Sequence, residues 1–338
     1  MKCSSRAFLL FIAVWHISIL AKAQENIEDF LLLGEVVATE LVERYMNPLG
    51  EGLSYGLTGG WYSSARVSEP WSIDLAVVTN GSYVPSEKKQ FIIDTNDFGN
   101  LTTDLGEAAV SLPTALGGGD FDEVVFIAQI ENETFEFNVP AGLGLLYVNF
   151  LPSAFIQAKI GLPKYTEAGI RFFPKLDLGN ELDMGIFGFG AQHEFTRWFK
   201  GLDNKPIAFS FFAAYTRLDA EYKLGQSELV TGEDQRAEFR VNTLLMEFVG
   251  STTFKVLNFY GGIGYLAGDT RTRMAGNYEI DLETDTLVFN DPITAEGTNS
   301  GIRANLGAKL TLNWFSLNAA YTFQGFNNLS VGMHFRLR

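Results

Sequence analysis

Apolar and polar positions alternate through most of the chain, most plainly at its end. In Asn328–Arg338 the apolar set is Leu329, Val331, Met333, Phe335 and Leu337; between them stand Ser330, Gly332, His334, Arg336 and Arg338. A period of two with one apolar face predicts a half-buried strand. Phe315–Gln324 and Ile302–Asn313 repeat it. Upstream, Ala154–Leu162 and Ala168–Phe172 predict a hairpin around Leu162-Pro163-Lys164-Tyr165, followed by strands at Phe187–Phe195, Ile207–Thr216 and Leu257–Ala267. Arg240–Phe248 changes phase near Thr243, which predicts a bulge.

These segments suit a membrane barrel better than a soluble sandwich. They run ~9–11 residues, the length that crosses a bilayer when tilted. The polar face, rich in Gly, Ser, Asn and Thr, offers a sandwich no second apolar surface to bury. Trp198, Phe199, Tyr260, Tyr265, Trp314 and Phe315 lie near strand ends, where interfacial girdles would stand. The predicted fold class is all-β, a transmembrane antiparallel β-barrel of 12–14 strands with an N-terminal helix. About ten strands lie beyond Ala141, and Trp71–Val78, Gln90–Thr95, Val124–Ile130 and Thr134–Val139 supply the remainder. With the C-terminus in the periplasm, Asn313-Trp314 and Gly250–Phe254 become short periplasmic turns, and Leu224–Arg236 and Gly268–Ser300 become long outer loops.

Residues 1–23 read as a secretory signal: Lys2 and Arg6, an apolar stretch Ala7–Leu20, then Ala21-Lys22-Ala23 as the cleavage pattern. Its removal takes the formal charge of the 338-residue chain from -15 to about -18 and removes Cys3, the lone cysteine. A chain this acidic is a poor nucleic-acid partner, and without thiols it forms neither disulfide nor thiolate metal site. Asn26–Met46 has helical spacing (Ile27, Phe30, Leu31, Gly34, Val37, Ala38, Leu41, Tyr45), with Asn47-Pro48 ending it. Residues 24–49 are therefore expected to be a helix in or under the barrel, and 50–338 the barrel itself. Leu53–Arg66 is placed at the mouth or as a first strand, and Asn96–Asp122 as an insertion.

Candidate chemistry is sparse. His193 and His334 do not stand in a metal spacing, and neither a Gly-x-Ser-x-Gly elbow nor a phosphate loop occurs. No cofactor, metal or catalytic residue is expected. Asp281, Glu283 and Asp285 lack the glycine turn of a calcium loop and read as a solvated acidic loop, as does Gly119–Glu123. The charged residues of the inner face carry more information. The alternation points Lys159, Arg171, Arg303, Lys309, His334, Arg336 and Arg338 inward, against Glu167 and Glu194. A basic wall in an acidic chain either favours anions or pairs with the acids of a lumen-filling helix.

With its signal, alternating strands and terminal strand Leu329–Leu337, the chain resembles the Gram-negative outer-membrane β-barrels. The terminal strand resembles their assembly signal with Phe335 as its aromatic, although it ends in Arg338 rather than Phe. The resemblance implies outer-membrane lipid and the barrel-assembly machinery as partners. The N-terminal helix, Asn47-Pro48 and the Gly-rich stretch after them are similar to the long-chain fatty-acid transporter family, fourteen-stranded barrels closed by an N-terminal plug that pass hydrophobic molecules. The chain also looks like outer-membrane barrels known only as hypothetical proteins. The function expected first is passive transport of small hydrophobic or amphipathic anionic molecules. The alternative is a filled barrel with a structural, adhesive or assembly role. An outer-membrane hydrolase stands third, and a Ser, Asp or Asn within hydrogen-bond reach of His334 would favour it.

Overall fold

The structure is a computed structural model that describes residues 27–98, 101–118, 124–130, 133–140, 142, 149–178, 182–199, 201–202, 205–224, 230–282 and 285–337. The expected signal 1–23, Asn26, Gly119–Glu123, Glu283 and Arg338 lie outside the described residues. Among them, ten antiparallel strands close a barrel. In chain order they are β1 (Ile73–Tyr83), β7 (Phe150–Leu162), β8 (Thr166–Leu178), β9 (Leu182–Glu194), β10 (Ile207–Lys223), β11 (Thr231–Thr252), β12 (Leu257–Asp281), β14 (Ile293–Leu312), β15 (Phe315–Phe323) and β16 (Asn328–Leu337). The ring closes because β1 pairs with β7 on one side and β16 on the other, with Asp74 opposite both Lys159 and Arg336.

Ten strands replace the expected twelve to fourteen. The segments at Gln90–Thr95, Val124–Ile130 and Thr134–Val139 do not join the wall. They belong to two small sheets in the insertion 84–149: β2 (Gln90–Asp94) with β4 (Ala109–Pro113), and β3 (Leu101–Thr103) with β5 (Val125–Ile130) and β6 (Glu133–Asn138). At five or six residues these strands are too short to cross a bilayer. Val110, Leu112, Phe126, Ala128 and Phe137 are buried instead in a core continuous with that of the N-terminal segment. A further strand, β13 (Thr286–Asn290), pairs only with the far end of β12.

The barrel has a short-turn end (Pro163–Tyr165, Thr253–Val256, Asn313-Trp314) and a long-loop end bearing the 84–149 crown. Its outward face carries a band of apolar residues whose upper edge falls at paired positions on four strands. On β10, Phe209, Phe211, Ala213 and Tyr215 give way to Arg217 and Asp219; on β11, Phe248, Met246 and Leu244 give way to Asn242 and Arg240. On β12 the change falls between Tyr265 and Asp269, and on β14 between Ile302 and Thr298. Arg217, Asn242, Asp269 and Thr298 are successive cross-strand partners, so the change follows one line of paired residues across the four strands. The line also explains the phase change read at Thr243. β11 continues without a bulge there, its register shifting only between Glu233 and Arg236. The outward face leaves hydrocarbon while the inward face (Ala237, Phe239, Val241) becomes apolar core. Polarity inverts because the surroundings invert.

Leu317, Tyr321, Leu329 and Val331 are exposed on this band, and Trp198, Phe199, Phe254 and Trp314 are exposed toward the short-turn rim, as an interfacial girdle requires. Tyr260, expected in that girdle, is instead buried on the inner face, where its hydroxyl accepts from Asn318 Nδ2 at 2.9 Å.

The lumen is filled. A 3-10 helix, Ile27–Leu33, lies at the long-loop end, where Phe30 packs on Phe126 and Phe137 of the crown. Gly34 (φ 85) breaks the path in a conformation that suits glycine, and helix α1 (Glu35–Leu57) then descends into the barrel. The helix expected to stop at Asn47-Pro48 continues through Pro48 for nine more residues. A proline inside a helix costs about 3 kcal/mol. Burial of Leu49, Leu53 and Leu57 against the wall offsets this at roughly 1.5–3 kcal/mol per side chain. Residues 58–72 run on down the lumen, so the wall begins at Ile73 rather than at residue 50.

Candidate functional site

The descending segment divides the lumen into an apolar and a polar part. Toward the long-loop end, Leu49, Leu53 and Leu57 of α1 face Leu151, Phe173, Met184, Ile186, Leu218 and Phe239 of the wall, leaving a cavity of about 40 Å³. Below it the contacts are polar. Arg171, fully buried, donates from Nη1 to the Leu57 carbonyl (2.8 Å) and from Nη2 to the Gly59 carbonyl (2.9 Å). Its Nε and Nη2 also reach Gln157 Oε1, at 3.2 and 2.9 Å. Its guanidinium lies between the rings of Trp61 and Phe155, 4.1 and 4.3 Å from their centroids. All of these contacts hold the point where α1 ends and the chain continues downward.

Arg303 makes a second clamp. Its Nη1 donates to Thr58 Oγ1 at 2.6 Å, and its Nε lies 3.1 Å from Glu247 Oε1 at an angle too poor for a hydrogen bond. That contact is therefore a buried charge pair. Asn305 links Glu247 to the Tyr62 hydroxyl, at 3.2 and 2.6 Å. Lower still, Ser251 Oγ accepts from the Ala65 amide and Glu194 Oε2 from the Val67 amide. Glu167 Oε2 accepts from both the amide and the hydroxyl of Ser68.

Glu167, Arg171, Glu194, Arg303, Lys309 and His334 are buried behind the wall, and Lys159 is half-buried beside them. Lys159 pairs with Glu167 at 3.0 Å, and Arg66 and Arg197 approach Glu194. Arg336 has inward parity, but the wall ends there and its side chain is solvent-exposed at the short-turn mouth. Of the two expected roles for these cations, pairing with the acids of the helix does not occur: Lys159 and Arg303 stand against wall acids and Arg171 against the backbone carbonyls of 57 and 59, because Glu35, Glu40 and Glu43 stand at the top of α1, far along the chain from the clamps.

His334 does have the partners that would favour a hydrolase: Nδ1 lies 2.7 Å from Asp74 Oδ1 and Nε2 2.8 Å from Asn318 Oδ1. Asn318 spends its amide hydrogens on Tyr260, so its oxygen faces the ring and accepts. Both imidazole nitrogens are thus already engaged by wall side chains. Asp74, Gln157, Glu247 and Asn318 were not among the expected site residues. Glu247 was legible as the one acid in the apolar run Leu244–Val249, had the alternation been followed without a bulge.

The model of a family of unknown function, DUF6588, matches residues 1–337. The chain belongs to that family. No curated protein matches it. Among solved structures it is similar to the translocator domain of the autotransporter NalP from Neisseria meningitidis (10% identity, 89% of this chain and 98% of that one, TM-score 0.31). It is also similar to the outer-membrane protease OmpT from Escherichia coli (7%, 81% and 100%, TM-score 0.33) and to a Pseudomonas aeruginosa FadL homologue (9%, 79% and 89%, TM-score 0.19). The likeness is to outer-membrane barrels as an architecture.

Proposed function

We propose that this family member is a plugged barrel of the bacterial outer membrane, exported by residues 1–23, that serves by presenting its long-loop crown and not as an open pore. The observation that carries this reading is the occupied lumen: residues 35–72 descend through it, held by the Arg171 and Arg303 clamps. The insertion 84–149 contains eleven acids against Lys88 and Lys89, so the presented surface is strongly anionic. Such a surface suits cationic partners or divalent ions of the envelope. Strand β16 would carry the assembly signal in this reading.

Planar-bilayer recordings of the refolded full chain should show no ion conductance, and protease added to intact cells should cut within 84–149. Steady conductance from the unmodified protein would overturn the plugged reading, and resistance of 84–149 in intact cells would overturn presentation. One observation favours the second reading, passage of small hydrophobic molecules: the apolar cavity beside Leu53. Saturable binding of an apolar fluorophore, lost in Leu218→Trp, would support it.

A further inference from the structure

At the short-turn mouth, below the clamps, a polar cavity of about 280 Å³ opens between residues 63–72 and the wall. Lys309 lines it from β14. This lysine is only 9% exposed, and among the described residues neither a hydrogen bond nor an ion pair reaches its ammonium. A largely buried cation whose ammonium opens only onto this cavity is poorly solvated, and an anion in the space in front of it offsets that cost.

The surroundings point the same way. Lys159 and Arg336 stand directly opposite Asp74 on the two strands flanking β1. Lys159 pairs with Glu167, and Asp74 is hydrogen-bonded to His334. Arg336, like Lys309, has no carboxylate within 4 Å among the described residues, and Lys255 joins them on the rim. Across the cavity lining, five cations (Arg66, Lys159, Lys255, Lys309, Arg336) outnumber three acids (Glu69, Asp74, Glu167). Ser63 and Thr311 add hydroxyls that can donate to an oxyanion. All this occurs in a strongly acidic chain.

We propose that the mouth is a binding site for a small soluble oxyanion, a phosphate- or carboxylate-bearing molecule, seated on Lys309 with Arg336 as the outer contact. The low-dielectric wall focuses the field of these cations inward, and the ring of strands separates the site from the lipid phase. The proposal does not depend on what the crown does at the other end.

The test uses the full chain reconstituted in phosphatidylcholine vesicles with inorganic phosphate as the probe, against sodium chloride at equal ionic strength. Anything that binds only the folded state raises stability by mass action. The thermal unfolding midpoint should therefore rise with phosphate and saturate. K309M should weaken the apparent affinity at least tenfold, and should itself be more stable than the unmodified protein in chloride, since it removes an unpaired buried charge. R336Q, at the exposed rim where folding is not at stake, should weaken it about threefold and stands in should K309M fail to fold. An unmodified protein indifferent to phosphate, or variants that respond like it, would overturn the site. A response appearing only when phosphatidylglycerol is added would assign the charge cluster to lipid headgroups and overturn the soluble ligand.

Discussion

Arg171 shows how one side chain holds the plug. It has no carboxylate partner; its donors end on two backbone carbonyls and one amide oxygen. Removing the guanidinium would leave those buried acceptors unsatisfied at ~1–3 kcal/mol each. Arg171→Met should therefore destabilise the protein by about 3 kcal/mol or more in urea unfolding from vesicles. Arg171→Lys should fall well short of full stability, since an ammonium cannot reproduce the planar fork between two rings. Glu28 makes a different prediction at the same scale. Burial, aided by neighbouring Asp29 and opposed by a bond to its own backbone, pushes its carboxyl up to about 7. The unfolded chain ionises near the ordinary value of 4.5, so stability is highest below that and falls as pH rises toward 7. The loss is on the order of 3 kcal/mol and falls on the 3-10 helix Ile27–Leu33. After correction for intrinsic rates, amide exchange in that segment should be faster at pH 8 than at pH 5, and Glu28→Gln should flatten the difference.

At the scale of the element, the edge of the apolar band between Ile302 and Thr298 makes strand β14 a depth gauge. Leu306 and Thr298 share the outward face, one inside the band and one above it. Leu306→Arg should cost ~2–4 kcal/mol, as should Val331→Arg on β16 if it lies near the midplane, whereas Thr298→Arg should stay within about 0.5 kcal/mol. Equal costs at positions 306 and 298, measured by refolding into vesicles, would mean that the band edge is misplaced. The same edge explains the length of β11, β12 and β14, which at 22, 25 and 20 residues rise beyond the bilayer. Above it, the outward face is laced by Arg217–Asp219, Arg240–Asp219 and Arg271–Glu296 pairs instead of apolar side chains.

For the molecule as a whole, the question is whether the plug stays seated. A Cβ built on Gly56 of α1 lies 4.0 Å from Ser153 Cβ on β7, within the usual span of a disulfide. The only native cysteine is Cys3, in the expected signal, so the pair can be engineered into a thiol-free background. Gly56→Cys with Ser153→Cys should cross-link under mild oxidation in the folded protein and raise its resistance to unfolding by ~2–4 kcal/mol. Two free thiols in the folded barrel would show that α1 does not rest against this wall.

The sequence by itself determined the lower part of most wall strands beyond Ala154 and an N-terminal helix, while Leu224–Arg236 and Gly268–Ser300, read as loops, hold the upper ends of β11, β12 and β14. A two-residue or 3.6-residue period is a local property that a neighbouring strand only ratifies. It also marked Lys159, Arg171, Arg303, Lys309 and His334 as inward residues, because parity along a strand is arithmetic. What only the tertiary structure decided were the properties that depend on what lies across the lumen or around the barrel. The number of wall strands turned on whether short strands such as β2 and β5 found the wall or one another. The polarity inversion on β11 depended on where the membrane ends, which period alone cannot tell from a bulge. The helix passed Pro48 because an apolar wall was waiting for Leu49, Leu53 and Leu57. And of the inward cations, only packing could reveal that Arg171 and Arg303 are bound to the plug while Lys309 has no hydrogen-bond or ion-pair partner among the described residues, since hydrogen bonding across a barrel joins residues such as Arg303 and Thr58 that stand 245 positions apart.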